Sequence, residues 1–386
     1  MFSPFAKTFK SSFTRITFPN ARSFSSSSNL LHKRATGPVI PSTSIKVFRT
    51  ISALRQWRRQ QLLDHRTVGL VPTMGALHSG HASLVRLAAS QTSLVVVTIY
   101  VNPTQFGVTE DLDSYPKTWD ADCKILRDLD RDIAEDGANM GRIAAVFAPD
   151  TKEMYPSEGN KGPSQEIDGK GSFVTITPVG EKLEGKTRPT FFRGVATICM
   201  KLFNIVQPEK VFFGQKDVQQ TVVIKKLVKD FHLNTDVIIG ATQRESDGLA
   251  LSSRNVYLGT RRRNVATVLS KALKVAETGY LRGKRTRDEL LGPAHELAKL
   301  MLIEQFQMKP EERVNYEVDY ISLADPDTME ELDVVDDTRG AILSGAVKML
   351  PVEEPQDGED LGAAGGPAVR LIDNIILPAA AMKAAN

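Results

Sequence analysis

Two histidines three residues apart, His78 and His81, lie in the run Val71-Pro-Thr-Met-Gly-Ala-Leu-His-Ser-Gly-His81. The apolar run Thr67 to Leu70 precedes them and reads as a strand, and Ala82 to Ala89 follows and reads as a helix. Both imidazoles therefore sit at a strand-to-helix turn. The free N–H groups and positive dipole end of a helix N-terminus favour a phosphate there, and the histidines add two donors. Gly75 and Gly80 let backbone and ligand approach closely. His-x-x-His also suits a metal, but zinc wants at least a third ligand. The remaining histidines and the two cysteines, Cys123 and Cys199, form no such pattern. A structural pair is the plain alternative.

Other candidate phosphate donors are Lys216, Ser252, Ser253 and Arg254. Lys216 stands in Gly214-Gln-Lys-Asp217, and the other three in Asp247-Gly-Leu-Ala-Leu-Ser-Ser-Arg-Asn255. A polar loop with a glycine hinge, two hydroxyls and a guanidinium suits closure over a polyphosphate. Taken alone, Ser-Ser-Arg-Asn reads as a helix cap or surface turn. Neither a P-loop nor a Gly-x-Gly-x-x-Gly after the first strand is present. Gln105 and Gln220 carry amides that both donate and accept, which suits a polar organic substrate better than a phosphate. Ordinary hydrogen bonding is their alternative. Asp217 could hold Mg²⁺ together with nucleotide oxygens, or cap the helix that begins there. Glu184 and Arg188, in Leu183-Glu-Gly-Lys-Thr-Arg-Pro189, read as a solvated charge pair.

The elements that must position these residues alternate. Ile45 to Leu63 reads as a helix, Leu94 to Val101 as a buried strand, Trp119 to Leu129 as a helix, and Ala144 to Ala148 as a strand. Helix Thr190 to Val206, strand Lys210 to Gly214, helix Asp217 to Phe231 and strand Thr235 to Gly240 follow. This order predicts an α/β fold, a doubly wound parallel sheet with its ligand at the carboxyl ends of the strands. Pro72 to His81, Asn102 to Gly107 and Gly214 to Asp217 all fall at such ends. Core packing explains that clustering poorly, since sheet interiors want apolar residues.

Beyond residue 241 the texture changes. Helix Thr267 to Arg282 and strands Asn315 to Ser322, Gly340 to Val347 and Val369 to Leu377 predict a smaller α+β domain over 242–386. Its Pro/Gly/Ala/acidic stretch, 351–367, reads as a disordered surface insertion. Residues 41–241 form the first domain.

Composition is that of an ordinary globular protein, 41% hydrophobic and 25% charged. A net charge of +3 is too small to argue for nucleic acid or a membrane surface as partner, and no run approaches a membrane span. The two scattered cysteines suggest a reduced, intracellular setting. Residues 1–40 differ. No Asp or Glu occurs before Asp64, and basic residues flank a serine tract at Ser23 to Ser28. Such a leader resembles a mitochondrial transit peptide; a tail without an address on a cytoplasmic protein is the alternative.

The His-x-Gly-His turn (His78 to His81) is similar to the nucleotide-binding signature of class I aminoacyl-tRNA synthetases and nucleotidylyltransferases. With Val-Asn-Pro-Thr-Gln-Phe (101–106), Asp-Leu-Asp-Ser-Tyr-Pro (111–116), Phe-Phe-Arg-Gly-Val (191–195), Val-Phe-Phe-Gly-Gln-Lys-Asp-Val-Gln-Gln (211–220) and Ser-Ser-Arg-Asn (252–255), the chain resembles the pantothenate synthetase (pantoate–β-alanine ligase) family. The resemblance spans roughly 45–350 and the final strand. It implies a Rossmann-like sheet of the HIGH-type nucleotidyltransferase kind and a two-step reaction. Pantoate and ATP give pantoyl adenylate and pyrophosphate; β-alanine then gives pantothenate and AMP.

Carried over residue by residue, the resemblance assigns ATP to Met74, Gly75, His78, His81, Gly214, Gln215, Lys216, Asp217, Gln243, Leu251, Ser252, Ser253 and Arg254. His81 falls where the family places its proposed proton donor, with His78, Lys216 and Arg254 as the other catalytic candidates. Gln105 and Gln220 would bind pantoate, and Gln105 also β-alanine. Mg²⁺ would arrive with the nucleotide near Asp217. A homodimer through the N-terminal domain is implied as well. Gln215 stands where the family usually has Glu, and Leu251 where it often has Met. The long, charged Asp128 to Ile143 stretch, the leader and the 351–367 segment point to a eukaryotic, fungal-type member. Two other readings stay open: a nucleotidylyltransferase passing AMP to another acceptor, and a non-catalytic nucleotide sensor.

Overall fold

Short β-branched runs, each followed by a helix, build a sheet whose strands all run parallel. The structure is a computed structural model that describes residues 38–379 apart from 109–111, 114, 138–140, 158–162, 164, 167 and 168. The strands are β1 (Lys46–Phe48), β2 (Val68–Val71), β3 (Leu94–Thr98), β4 (Arg142–Phe147), β5 (Lys210–Gly214) and β6 (Asp236–Gly240), in the order β1-β4-β3-β2-β5-β6. Winding goes outward from β2 in one direction through β3 and β4, then reverses to β5 and β6. The reversal point lies between β2 and β5, where a parallel sheet opens a crevice at its carboxyl edge.

Strand periodicity sends alternate side chains into two apolar layers. Val68, Leu70 and Val96 face a layer made with α1 (Ile51–Leu63), α6 (Phe191–Val206) and α7 (Val218–Asp230). Val71, Val95 and Val97 face α2 (Ser79–Gln91) and α3 (Trp119–Asp136) on the other side. Two short helices, α4 (Thr151–Met154) and α5 (Glu184–Thr187), edge the crevice.

The remaining chain makes an antiparallel sheet of β7 (Tyr316–Ala324), β8 (Ala341–Met349) and β9 (Val369–Leu377). It is backed by α9 (Val268–Leu281) and α10 (Arg287–Phe306), entered through α8 (Gly259–Val265). These elements share their own apolar core. Ala324, Met329 and Ile342 reach over to pack in the first one. Among the described residues no helix is long and apolar enough to cross a membrane.

Several elements depart from expectation. Ile45 to Leu63 is not one helix. Its first residues are buried and β-branched and pair with the sheet edge as β1, and α1 starts only after Thr50, whose hydroxyl caps it. Strand β3 stops at Thr98, because the chain then turns to floor the crevice. Helix α10 gave no clear signal, since Gly292-Pro293 interrupts its pattern. The 351–367 segment, expected to be disordered, is packed. Arg261, Arg262 and Arg313 hold it through Glu359, Glu353 and main-chain carbonyls. The leader, as far as residue 37, and Asp111 and Ser114 of the 111–116 motif lie outside the described residues.

Candidate active site

The crevice at the β2/β5 reversal is a cavity of about 800 Å³, walled on one side by the parallel sheet and on the other by β7, β8 and β9. His78 and His81 line it at the start of α2. The sequence offers no Ser, Thr, Asp or Asn at the cap position, so His78 takes the role. Its Nδ1 accepts from the Gly80 N–H at 3.1 Å, while His81 Nδ1 accepts from the His78 N–H at 3.4 Å. This reciprocal cap brings the rings to 4.2 Å between centroids. The structural alternative is therefore partly true, and it serves the chemistry. Burial, then the neighbouring His78 and Lys216, lower the His81 pKa to about 3; burial and Lys216 lower that of His78. Both rings are neutral near pH 7. With each Nδ1 accepting, each proton sits on Nε2, which leaves two Nε2–H donors.

Asp122 of α3 holds the turn ahead of them. Its carboxylate, 1% exposed, accepts from the Ala76 N–H at 3.2 Å and the Leu77 N–H at 2.8 Å. This pins two successive left-handed residues, Gly75 (φ +85°) and Ala76 (φ +49°). A Cβ on Gly75 would meet the carboxylate at 3.0 Å. Gly75 does not line the main cavity. It faces a smaller one of about 140 Å³ behind the turn, so its part is to make the bend.

After β5, Gly214, Lys216 and Asp217 line the cavity, but Gln215 does not. Gln215 instead turns to Asn374 of β9, its Nε2 donating to Oδ1 at 3.2 Å. The Asn374 amide donates back to the Gln215 and Lys216 carbonyls, both at 2.8 Å. A strand from the far wall thus fixes the main chain that carries the Lys216 ammonium. Asp217 does not cap α7 with its side chain; it lies 3.7 Å from Lys216 Nζ.

Gln105 and Gln220 line the cavity beside the aromatic surface of Phe191 and Phe192. Gln105 Oε1 accepts from Asn102 Nδ2 at 3.1 Å. Asn102, 1% exposed, is itself held by the Tyr155 hydroxyl at 2.7 Å and donates to the Gly194 carbonyl at 3.2 Å. The close approach needs glycine, since a Cβ on Gly194 would come within 2.3 Å of the Thr104 carbonyl oxygen.

Glu184 and Arg188 are not a solvated pair. Glu184, 6% exposed, is gripped by both Arg370 amino groups at 2.6 and 2.7 Å and accepts from the Tyr320 hydroxyl at 2.9 Å. Burial, and then the Glu184 charge, push the Tyr320 phenol up, so it stays protonated and donates. Arg188 lies over the Phe191 ring and donates to the Gln105 carbonyl at 3.3 Å.

Leu251, Ser252, Ser253 and Arg254 also line the cavity. Ser252 Oγ accepts from the Arg254 N–H at 3.3 Å and caps a 3₁₀ turn, Ser253–Tyr257. The cap reading thus holds, at the cavity wall. The Gln243 carbonyl accepts from the Leu251 N–H at 3.0 Å, which ties this ATP-side candidate to the turn. Asp122, Asn102, Tyr320, Arg370 and Asn374 were missed. One signal for Asp122 existed: a carboxylate in line with Leu126, Leu129 and Ile133 on the buried stripe of α3.

Among the described residues no group of three His, Cys, Asp or Glu side chains is arranged to hold a metal alone. A nucleotide-borne Mg²⁺ needs only one or two carboxylates beside the phosphates. Three acids line the cavity. Glu184 and Asp373 are each held by an arginine, while Asp217 projects beside Lys216. The donor set fits an ion carried by the phosphates.

Set beside known proteins, residues 46–376 match the family model for pantoate-beta-alanine ligase. The chain is similar to the pantoate–beta-alanine ligase of Saccharomyces cerevisiae, with 39% identity over 86% of this chain and 100% of that one. The crystal structure of pantothenate synthetase from Thermus thermophilus aligns with TM-score 0.65 and 31% identity, over 86% of this chain and 99% of that one. The Francisella tularensis pantoate-beta-alanine ligase, complexed with beta-gamma ATP and beta-alanine, aligns with TM-score 0.58 and 28% identity, over 86% and 97%. A sheet reversal armed with a His-x-Gly-His turn, and a match running nearly the whole length of both, lead to one statement: this chain belongs to the pantoate–β-alanine ligase family.

Proposed function

We propose that this cavity carries out the ATP-dependent ligation of pantoate and β-alanine through an acyl adenylate formed beside the His78/His81 turn. The observation that carries the reading is the pair of neutral imidazoles. Each has its Nδ1 on a main-chain N–H and its Nε2–H left for a phosphate. A carboxylate resists an amine nucleophile, so it must first acquire a leaving group. A pantoate carboxylate oxygen attacks the α-phosphorus, the bond to pyrophosphate breaks, and pantoyl adenylate remains. The β-alanine amine then attacks the acyl carbon, and AMP departs with the carboxylate oxygen that made the bond.

The residues divide the work by chemistry. His78, His81 and Lys216 stabilise charge on the phosphates, the two neutral imidazoles by hydrogen bonds donated from Nε2–H and Lys216 by its charge. Ser252, Ser253 and Arg254 add donors from the facing wall. Met74, Gly214, Gln243 and Leu251 border the nucleotide. Gln105 and Gln220 orient pantoate, whose apolar part meets Phe192 and Val195. Where Mg²⁺ accompanies ATP, Asp217 would share it, and the ion would neutralise phosphate charge. Residues 242–386 act as a lid over this crevice. A homodimer through the N-terminal layer and import of the chain into mitochondria belong to the same reading. The first rests on the family resemblance and the second on the acid-free basic leader.

Product stoichiometry tests it. With ATP, Mg²⁺ and pantoate, AMP and pantothenate should form one-to-one, and only when β-alanine is added. Catalytic pyrophosphate without AMP would favour transfer of AMP to another acceptor. ATP binding with no product would favour a sensor.

A further inference from the structure

The connection between β8 and β9 has no part in the reaction described above, yet it is built onto the cavity wall. Met349 and Val369 are paired, so residues 350–368 form one hairpin loop, far longer than the usual two to five or so residues. It packs against the end of the Ser252–Tyr257 turn. Arg262 of α8, 1% exposed, sits between the two and gives all its hydrogen bonds to main-chain carbonyls. On the turn it reaches Leu258 at 2.9 Å and also Tyr257; on the loop it reaches Leu361 at 3.0 Å and Pro367 at 2.6 Å.

Around this centre the backbones meet directly. The Thr260 N–H donates to the Asp360 carbonyl at 3.2 Å. A Cβ on Gly362 (φ +88°) would lie 2.5 Å from the Tyr257 carbonyl oxygen, and one on Gly259 would lie 2.3 Å from that of Asp360. Arg261 pairs with Glu359 at 2.5 Å, with both side chains nearly out of solvent. Pro367 and Ala368 then enter the cavity wall beside Ser252, Ser253 and Arg254.

We propose that the 351–367 segment is a fixed buttress for the Ser252–Arg254 turn, with Arg262 the positioning residue that joins them, so that ATP affinity depends on a segment that reaches the cavity only at Pro367. The inference rests on the phosphate-binding role given to that turn. A flexible loop could close over a triphosphate only by paying its ordering entropy at each binding event, whereas a turn braced from behind has lost that freedom on folding.

The test uses the full chain with Gly362→Ala and the milder Glu359→Gln, and with Glu359→Asp as the charge-keeping control. Hydrogen exchange of the 252–258 amides is read without ATP, and KM for each substrate is read in turnover. Exchange in Gly362→Ala should be about tenfold faster, the scale of forcing a side chain into left-handed backbone. KM for ATP should rise with it, KM for β-alanine should hold, and Glu359→Asp should behave as the parent does. Unchanged exchange overturns the buttress. Faster exchange with an unchanged KM for ATP also overturns it, provided Arg254→Ala, run in parallel, impairs ATP use. If Arg254→Ala is harmless, the phosphate role of the turn fails, and the proposed consequence for ATP fails with it.

Discussion

Two turns line the cavity, and they are held in different ways. The His78/His81 turn is braced locally: the histidines cap one another's backbone, and one carboxylate from the adjacent α3 fixes the bend before them. The Ser252–Arg254 turn has local bonds too, the Ser252 cap and the Asn255 N–H on the Ser252 carbonyl at 3.1 Å, and is braced besides by a guanidinium shared with a segment about 100 residues downstream. Donors that must hold still at the reacting phosphorus benefit from a short chain of constraints. On the proposed reading, donors that hold a phosphate tail can be set by a remote element. The same contrast recurs in the walls: Asn374 and Arg370 of β9 fix Lys216 and Glu184 across the cavity.

The contrast can be broken at several points. The largest effect should come from His81→Ala. Removing a preorganised donor of this kind costs about 2.7–4 kcal/mol, or roughly 10²–10³ in kcat, with the fold intact. A rate within a few-fold of the parent would take His81 out of the mechanism. Next comes Asp122→Ala, which strands the Ala76 and Leu77 N–H groups. Urea unfolding should show a loss of about 1–3 kcal/mol and KM for ATP should rise. An unchanged ATP dependence would mean the bend needs no brace.

Ser253→Ala, on the remotely braced turn, should be milder. A neutral donor is worth about 0.5–1.5 kcal/mol, seen as at most about a tenfold loss in kcat/KM for ATP. A loss as large as that of His81→Ala would erase the distinction between the turns. The smallest effect near neutrality is on stability. The unfolded chain protonates His81 near its ordinary value of 6.5 and the folded chain near 3, so between these the unfolded state binds more protons. Stability then falls as pH drops from about 6.5 towards 3 and is flat in this respect above it. His81→Gln should flatten that slope in acid-side melting curves; an unaltered slope would place the titration elsewhere.

What the sequence made legible follows from range. Strands β5 and β9 come out with the expected bounds, because short runs rich in Val, Ile, Leu and Phe between turn residues declare themselves locally. The His turn, Lys216 and the Ser-Ser-Arg turn do line one cavity, and they stood out because polar and basic residue types suited to phosphate are recognisable by type alone. Gln215 reads as a ligand contact by position, yet it faces Asn374, far away in sequence. Glu184 looks solvated in a polar loop, and only the fold brings Arg370 and Tyr320 onto it. The 351–367 segment has the composition of a disordered stretch. Its order comes from a buried arginine satisfied by carbonyls, which leaves no compositional trace.

The most direct test of the central claim is isotopic. Pantoate labelled with ¹⁸O in its carboxylate is turned over with ATP and β-alanine, and the AMP is analysed by mass spectrometry. An acyl adenylate formed in this cavity transfers one ¹⁸O to AMP per pantothenate made. Unlabelled AMP, or label in inorganic phosphate alongside ADP, would contradict it.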